Sequence, residues 1–148
     1  KFDALDIDFS EVGIYNSTFS NMGNDAIDTS GSVVLMDNIN INGVGDKGLS
    51  FGEKSQILGK NISISNSNIA LAVKDLSEAE ISNLNINNSK IGIIAFQKKK
   101  KVYIEISYSI SPGPLSVSIF TTSPTGLLEA LGRGAAFLYP RVSSITGI

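Results

Sequence analysis

The chain has 148 residues, a formal net charge of −2, 42% hydrophobic residues, and no Cys, His or Trp. That length supports one domain with a core, not two large ones. The missing residue types exclude disulfides, thiolate nucleophiles, cysteine-ligated metals and any mechanism built on imidazole. The near-neutral balance leaves no electrostatic footprint for nucleic acid.

From the N-terminus, short runs with period-two apolar alternation follow one another. Leu5/Ile7 is the first, Val12/Ile14 the second and Ser17/Phe19 the third, and Ile27/Thr29 restarts the series. Period two predicts strands of four or five residues, with Gly, Asn, Asp or Ser between them. The series recurs every 22 or 23 residues. Val12, Val34, Ile57 and Ala79 form one column, and Ile14, Met36, Gly59 and Ile81 the next. Asn16, Asn38, Asn61 and Asn83 follow, then Phe19, Ile41, Ile64 and Ile86. Leu5, Ile27, Leu49, Leu71 and Ile94 align, as do Ile7, Thr29, Phe51, Val73 and Phe96. Ser10, Ser32, Ser55 and Ser77 close each turn. Three strands in about 22 residues predict a coil of stacked parallel strands, each rung about 4.8 Å above the last.

Asn tolerates the left-handed backbone of a corner, and its amide both donates and accepts. A stacked Asn column therefore predicts a ladder of side-chain hydrogen bonds. Asn16-Ser17-Thr18, Asn61-Ile62-Ser63 and Asn87-Asn88-Ser89 also fit the glycosylation sequon. Asn38 and Asn83 keep the column without a sequon, so the ladder is the better account of Asn16 and Asn61. Gly43-Val-Gly-Asp-Lys-Gly48 lacks the order of a phosphate loop and reads as a turn.

Residues 1–101 thus form a repeat domain, and residues 102–148 a dissimilar tail. Every Asn, Asp and Lys precedes position 102, whereas both Arg and all 4 Pro follow it. Residues 102–110 alternate as a strand, 115–122 offer a second, and 125–131 a short helix stopped at Gly132. An end cap over the last rung's open edge is one reading of the tail. A fused or frameshifted continuation is the other, since the composition changes at a slip-prone run of four lysines ending at Lys101.

The chain opens on Lys1 with no charged-then-apolar leader, so it reads as an excerpt whose remainder lies N-terminal to residue 1. No apolar run approaches the roughly 18 residues of a membrane span.

Several strings carry a family likeness. They are Asp3-Ala-Leu-Asp-Ile-Asp-Phe-Ser10, Gly23-Asn-Asp-Ala-Ile-Asp-Thr-Ser-Gly-Ser32 and Gly45-Asp-Lys-Gly-Leu-Ser-Phe-Gly-Glu-Lys-Ser55. Ala72-Val-Lys-Asp-Leu-Ser77 and Ala95-Phe-Gln-Lys-Lys99 continue them. Over positions 2–101 the chain resembles the right-handed parallel β-helix (pectin-lyase-like) repeat region of secreted bacterial surface proteins. The resemblance implies an all-β, right-handed parallel β-helix of about four to five rungs. It also implies export to the cell surface or beyond, and a polysaccharide as partner. It leaves the chemistry open, because the group mixes polysaccharide-active enzymes with other surface proteins.

In the strand through Leu5, Ile27 and Leu49, the intervening residues point outward: Asp6 and Asp8, Asp28 and Ser30, Ser50 and Gly52. Lys74 and Gln97 continue that track, and Asp3 and Asp25 share a column that leads to Lys47. Stacked carboxylates roughly 5 Å apart are unfavourable without compensation. Three compensations are open. Ca²⁺ would be held by Asp3, Asp6, Asp25 and Asp28 as hard oxygen ligands. A carboxyl with raised pKa would give an acid/base pair. Or Asp25 pairs with Lys47 one rung along, while the others cap turns and face water.

The expected function is a non-catalytic extracellular β-helix scaffold, or carbohydrate-facing module of a larger exported protein, needing no cofactor. The alternative is a polysaccharide-active enzyme fragment. In a uronate lyase or epimerase, calcium would neutralise the substrate carboxylate, and Lys47 or Lys74 with a depressed pKa would take the sugar's proton. A glycoside hydrolase fits less well, because the polygalacturonase Gly-His-Gly element has no counterpart here.

Overall fold

A computed structural model of the chain describes residues 2–97, 103–109, 116–122 and 136–138. The strands are β1 (Leu5–Asp8), β2 (Glu11–Met22), β3 (Ile27–Ser30), β4 (Val33–Gly52) and β5 (Gln56–Lys74). They continue with β6 (Glu78–Asn87), β7 (Ile91–Phe96), β8 (Tyr103–Ser109), β9 (Ser116–Thr122) and β10 (Ala136–Leu138). Among the described residues no helix forms.

β1 to β7 wind into a parallel β-solenoid of about four turns. Its register is the one the columns predict: Val12 pairs Val34, Val34 pairs Ile57 and Ile57 pairs Ala79. Leu5, Ile27, Leu49 and Leu71 stack in the same way. The inward residues make one continuous core, with Ile27, Val34, Ile41, Leu49, Phe51, Ile64, Leu71 and Val73 fully enclosed. Each such side chain contributes about 1.5–3 kcal/mol on leaving water.

Corners are made by single residues in the left-handed region. Asn16, Asn38, Asn61 and Asn83 form the first corner, with φ of 49°, 58°, 54° and 55°. The second holds Asn21, Gly43, Asn66 and Asn88. β4 and β5 therefore run as continuous strands around two corners each. The third corner has one left-handed residue at Phe9 and at Gly31, then two at Glu53-Lys54 and at Asp75-Leu76. The extra residue of the 23-residue interval enters there. An irregularity in register between Val44 and Lys47 takes it out again.

The predicted Asn ladder exists in part and stands on the surface. Asn38 Nδ2 donates to Asn16 Oδ1 at 2.8 Å, and Asn83 Nδ2 to Asn61 Oδ1 at 2.7 Å. Between them Asn61 donates to Asp37 Oδ1 at 2.8 Å rather than to Asn38. A second ladder, not predicted, lies beside the second corner. There Asn66 donates to Asn42 Oδ1 at 2.6 Å, and Asn88 donates to Asn66 Oδ1. The serine column forms a buried ladder at the third corner. Backbone N–H groups of Ser10, Ser32 and Ser55 donate to the Oγ atoms of Ser32, Ser55 and Ser77 at 3.1–3.2 Å.

The last turn differs from its predicted register by one residue. Leu71 pairs Ile93, not Ile94, and Val73 pairs Ala95, not Phe96. Lys74 accordingly pairs Phe96, so Gln97 does not continue its track. A one-residue slip exchanges inward and outward sets, and Ile93 and Ala95 are the enclosed pair.

Beyond the repeat, β8 and β9 fall on the two predicted tail strands. β9 runs antiparallel to β6, β8 antiparallel to β9, and β10 antiparallel to β7. The parallel stack thus meets antiparallel partners at this end. The helix expected over 125–131 lies outside the described residues.

Ser55 Oγ accepts from Ser32 N–H and Thr29 Oγ1 and donates to Gly52 O, all within the core. Ser55→Ala leaves an enclosed N–H unpaired and should cost about 1–3 kcal/mol in urea unfolding. Exposed Ser10→Ala should stay within about 0.5 kcal/mol.

Candidate functional site

The face carrying the expected site is formed by β1, β3, the last residues of β4 and β5, and β7. Its six proposed residues fall into separate arrangements. The first is a corner ladder just ahead of β1 and β3. Asp3 Oδ1 accepts from Asn24 Nδ2 at 2.7 Å and from the N–H of Asp25 at 2.8 Å. Asp25 Oδ1 accepts the N–H of Lys47 at 3.0 Å in the same way, one turn along. Each carboxylate thereby satisfies a backbone donor of the next turn.

Lys47 ends this ladder. Its Nζ stands 3.3 Å from both Asp25 oxygens and 2.5 Å from Asp46 Oδ2. Asp25 is 3% exposed. Burial pushes its carboxyl above the ordinary carboxylate range, and the backbone N–H, charge and ammonium hydrogen bond of Lys47 only partly offset that. Burial works to lower Lys47, but the hydrogen bond it donates to Asp46 and the charges of Asp25 and Asp46 outweigh it. The ammonium is held above its ordinary value. A catalytic base needs the opposite direction.

The second arrangement is ionic and lies on the strands themselves. Lys74 is enclosed, and its Nζ is 2.7 Å from Ser50 Oγ and 3.5 Å from Asp28 Oδ1. The side chain passes beside Gly52, where a Cβ would stand in ordinary contact with Lys74 Cε at 3.5 Å. Lys74 therefore ties β5 to both β4 and β3. Asp28 Oδ1 is shielded from water and accepts no hydrogen bond among the described residues, so the nearby ammonium is its compensation.

Asp6 and Asp8 remain exposed on the first turn. The charge of Asp8 raises the pKa of Asp6 most, followed by burial and the charges of Asp28 and Asp3. Among the described residues no three carboxylates form a group that could hold a metal ion. Asp46, Asn24 and Ser50 act in these arrangements without having been singled out in the sequence. Asp46 had a signal: it adjoins Lys47 in the sequence. Ser50 had none, because an outward position gave no hint that it is wholly enclosed.

No family model, curated protein or solved structure matches the chain. What can be said of its chemistry rests on this geometry.

The Lys47–Asp25 pair gives a pH dependence of definite sign. A folded pKa raised above the unfolded one contributes stability that is present at low pH and lost as pH rises through it. For Lys47 that loss falls above pH 10.5. Asp25, also raised, does not destabilise the fold on acidification. Lys47→Met should cost about 1–3 kcal/mol near neutrality, discounted for the ammonium's partial exposure. It leaves Asp25 buried with its backbone hydrogen bond but no cation, so the variant should recover stability as pH falls, and should lose this alkaline contribution. Urea midpoints across pH, compared with wild type, measure both trends.

Proposed function

We propose that the chain is a non-catalytic segment of an extracellular β-helix scaffold, a carbohydrate-facing module of a larger exported protein of the pectin-lyase-like kind. The observation that carries this reading is the fate of its two lysine bases. Lys47 is engaged by Asp25 and Asp46, and Lys74 by Ser50 and Asp28, each bridging successive turns. These charges are accounted for by holding the coil together.

A larger assembly is supported by the first turn. Among the described residues β1 and β2 pair on one side only, with β3 and β4. Phe2 and Phe9 stand 89% and 78% exposed there. Further turns of the same geometry would cover both the open edge and these rings.

One observation favours a second reading, a calcium-dependent uronate lyase or epimerase. Asp6 and Asp8 are exposed like charges on one strand, and a divalent cation would relieve them. Thermal melting with and without calcium, together with a scan of uronate polymers for unsaturated product, separates the two. The scaffold reading expects sedimentation with an insoluble polysaccharide, no product, and a calcium-independent melting temperature. Product that appears only with calcium, and is lost in Asp6→Asn, would replace it with the enzyme.

A further inference from the structure

A different face of the coil carries a surface that the site above does not use. The opening segments of β2, β4, β5 and β6 present three outward columns. Glu11, Val33, Gln56 and Glu78 form one, and Gly13, Leu35, Leu58 and Glu80 the second. Tyr15, Asp37, Lys60 and Ser82 form the third.

The centre of this face is apolar. Val33, Leu35 and Leu58 are 41%, 45% and 56% exposed, and Tyr15 is 55% exposed. They are neighbours on successive turns, not scattered surface residues. Gly13 adds to the continuity, since a Cβ there would stand 2.6 Å from Cε2 of Tyr15. The ring therefore lies in the space above Leu35 that a side chain at position 13 would fill. A shallow depression of about 270 Å³ follows the pad, lined by Val33, Leu35, Gln56, Leu58, Glu78 and Glu80. Contiguous apolar surface with a polar rim marks a contact site.

The rim has a sign. Glu11 lies at one end of the pad along the coil axis, and Glu78 and Glu80 at the other. None of the three makes an ion pair among the described residues. Among the described residues Lys60 is the face's one cation, set in the third column beside Asp37 and Ser82. A second copy of the chain would set carboxylate against carboxylate. An anionic polymer would meet the same repulsion. The complementary partner brings an apolar ridge with cations on both flanks.

Spacing selects the form of that ridge. Three rung steps of about 4.8 Å separate the two acidic ends by roughly 14 Å. A helix with its side chains is about 10–12 Å across. Laid parallel to the strands, it covers the pad, and Lys or Arg side chains on its flanks reach Glu11 on one side and Glu78 and Glu80 on the other.

We propose that this face docks a basic amphipathic helix of another protein, with apolar side chains seated on Tyr15, Leu35, Leu58 and Val33 and cations paired to Glu11, Glu78 and Glu80. The probe is a labelled synthetic peptide with Leu and Lys at helical spacing, followed by fluorescence anisotropy on the full chain at low and high salt. Binding should weaken with salt. Leu35→Ser with Leu58→Ser should weaken it about tenfold. Glu78→Gln with Glu80→Gln should weaken it several-fold and flatten the salt dependence. Asp6→Asn with Asp8→Asn, on the other face, should leave it unchanged. All these positions are exposed, so melting temperature verifies that each variant is folded. Equal binding of a Leu/Glu peptide, unchanged binding by the pad variants, or a pad that alters only self-association would each overturn the proposal.

Discussion

Each turn of this coil must bring the backbone back within hydrogen-bonding distance of the turn before, at three corners every time. Closure is achieved by placing the corner residues in left-handed conformation, which costs roughly 1–2 kcal/mol for an ordinary L-residue and little for Gly or Asn. Two corners are built from Asn and Gly alone. The third uses Gly31 and Asp75 together with Phe9, Glu53, Lys54 and Leu76, the last four poorly suited to that region. It is also the corner with the serine ladder, where Oγ atoms of one turn receive the backbone N–H groups of another. Poor local conformation and buried hydrogen bonding therefore occur together. The ladder supplies what the residue choice lacks, and it leaves this corner free to absorb the one-residue length change.

The coil was legible in the sequence because period two and the 22–23-residue repeat reinforce each other over four turns. Legibility fails where either signal weakens. Ile91-Gly-Ile-Ile-Ala-Phe96 is apolar at five of its six positions, with Gly at the other, so alternation cannot choose between Ile93 and Ile94. Packing chooses, and it takes Ile93 and Ala95. The second Asn ladder was hidden for a different reason. Its first acceptor, Asn42, lies one position before the left-handed Gly43, so the hydrogen-bonding column and the conformational column do not coincide. The first ladder breaks at Asp37 because a carboxylate beside the column is a stronger acceptor than the next amide.

The candidate site divides along the same line. Asp25 and Lys47 are adjacent in a column, and their pairing could be read directly. Lys74 belongs to the outward track that alternation predicts, but its reach could not be read from that position. Its side chain spans two rungs back to Asp28 by way of Ser50, passing beside Gly52. Side-chain reach of this kind is set in three dimensions and leaves no periodic trace. The ionic face is more deeply enclosed than its alternation implies: Ala70, Leu71, Ala72 and Val73 are all shielded from water, although only alternate residues point inward.

Register carries a consequence for where function can reside. Inward columns are fixed by packing, so a change there alters the fold before it alters a surface. Outward columns are constrained only by their neighbours one rung away, and the three faces have taken different characters. The face of β1 and β3 uses Asp3, Asp25, Asp28, Lys47 and Lys74 to bind turns together. The second face carries Thr18, Asn40, Ser63 and Asn85 beside Ser20, Asn42, Ser65 and Asn87, eight small polar positions without a charge. The face of Leu35 and Leu58 leaves apolar surface on successive turns in water, with carboxylates at its ends that no described cation neutralises. Residues held in place by the coil's own closure have their interactions already satisfied. Those of the Leu35–Leu58 face do not, and an unsatisfied surface on a rigid stack is where binding a partner yields the most free energy for the least reorganisation.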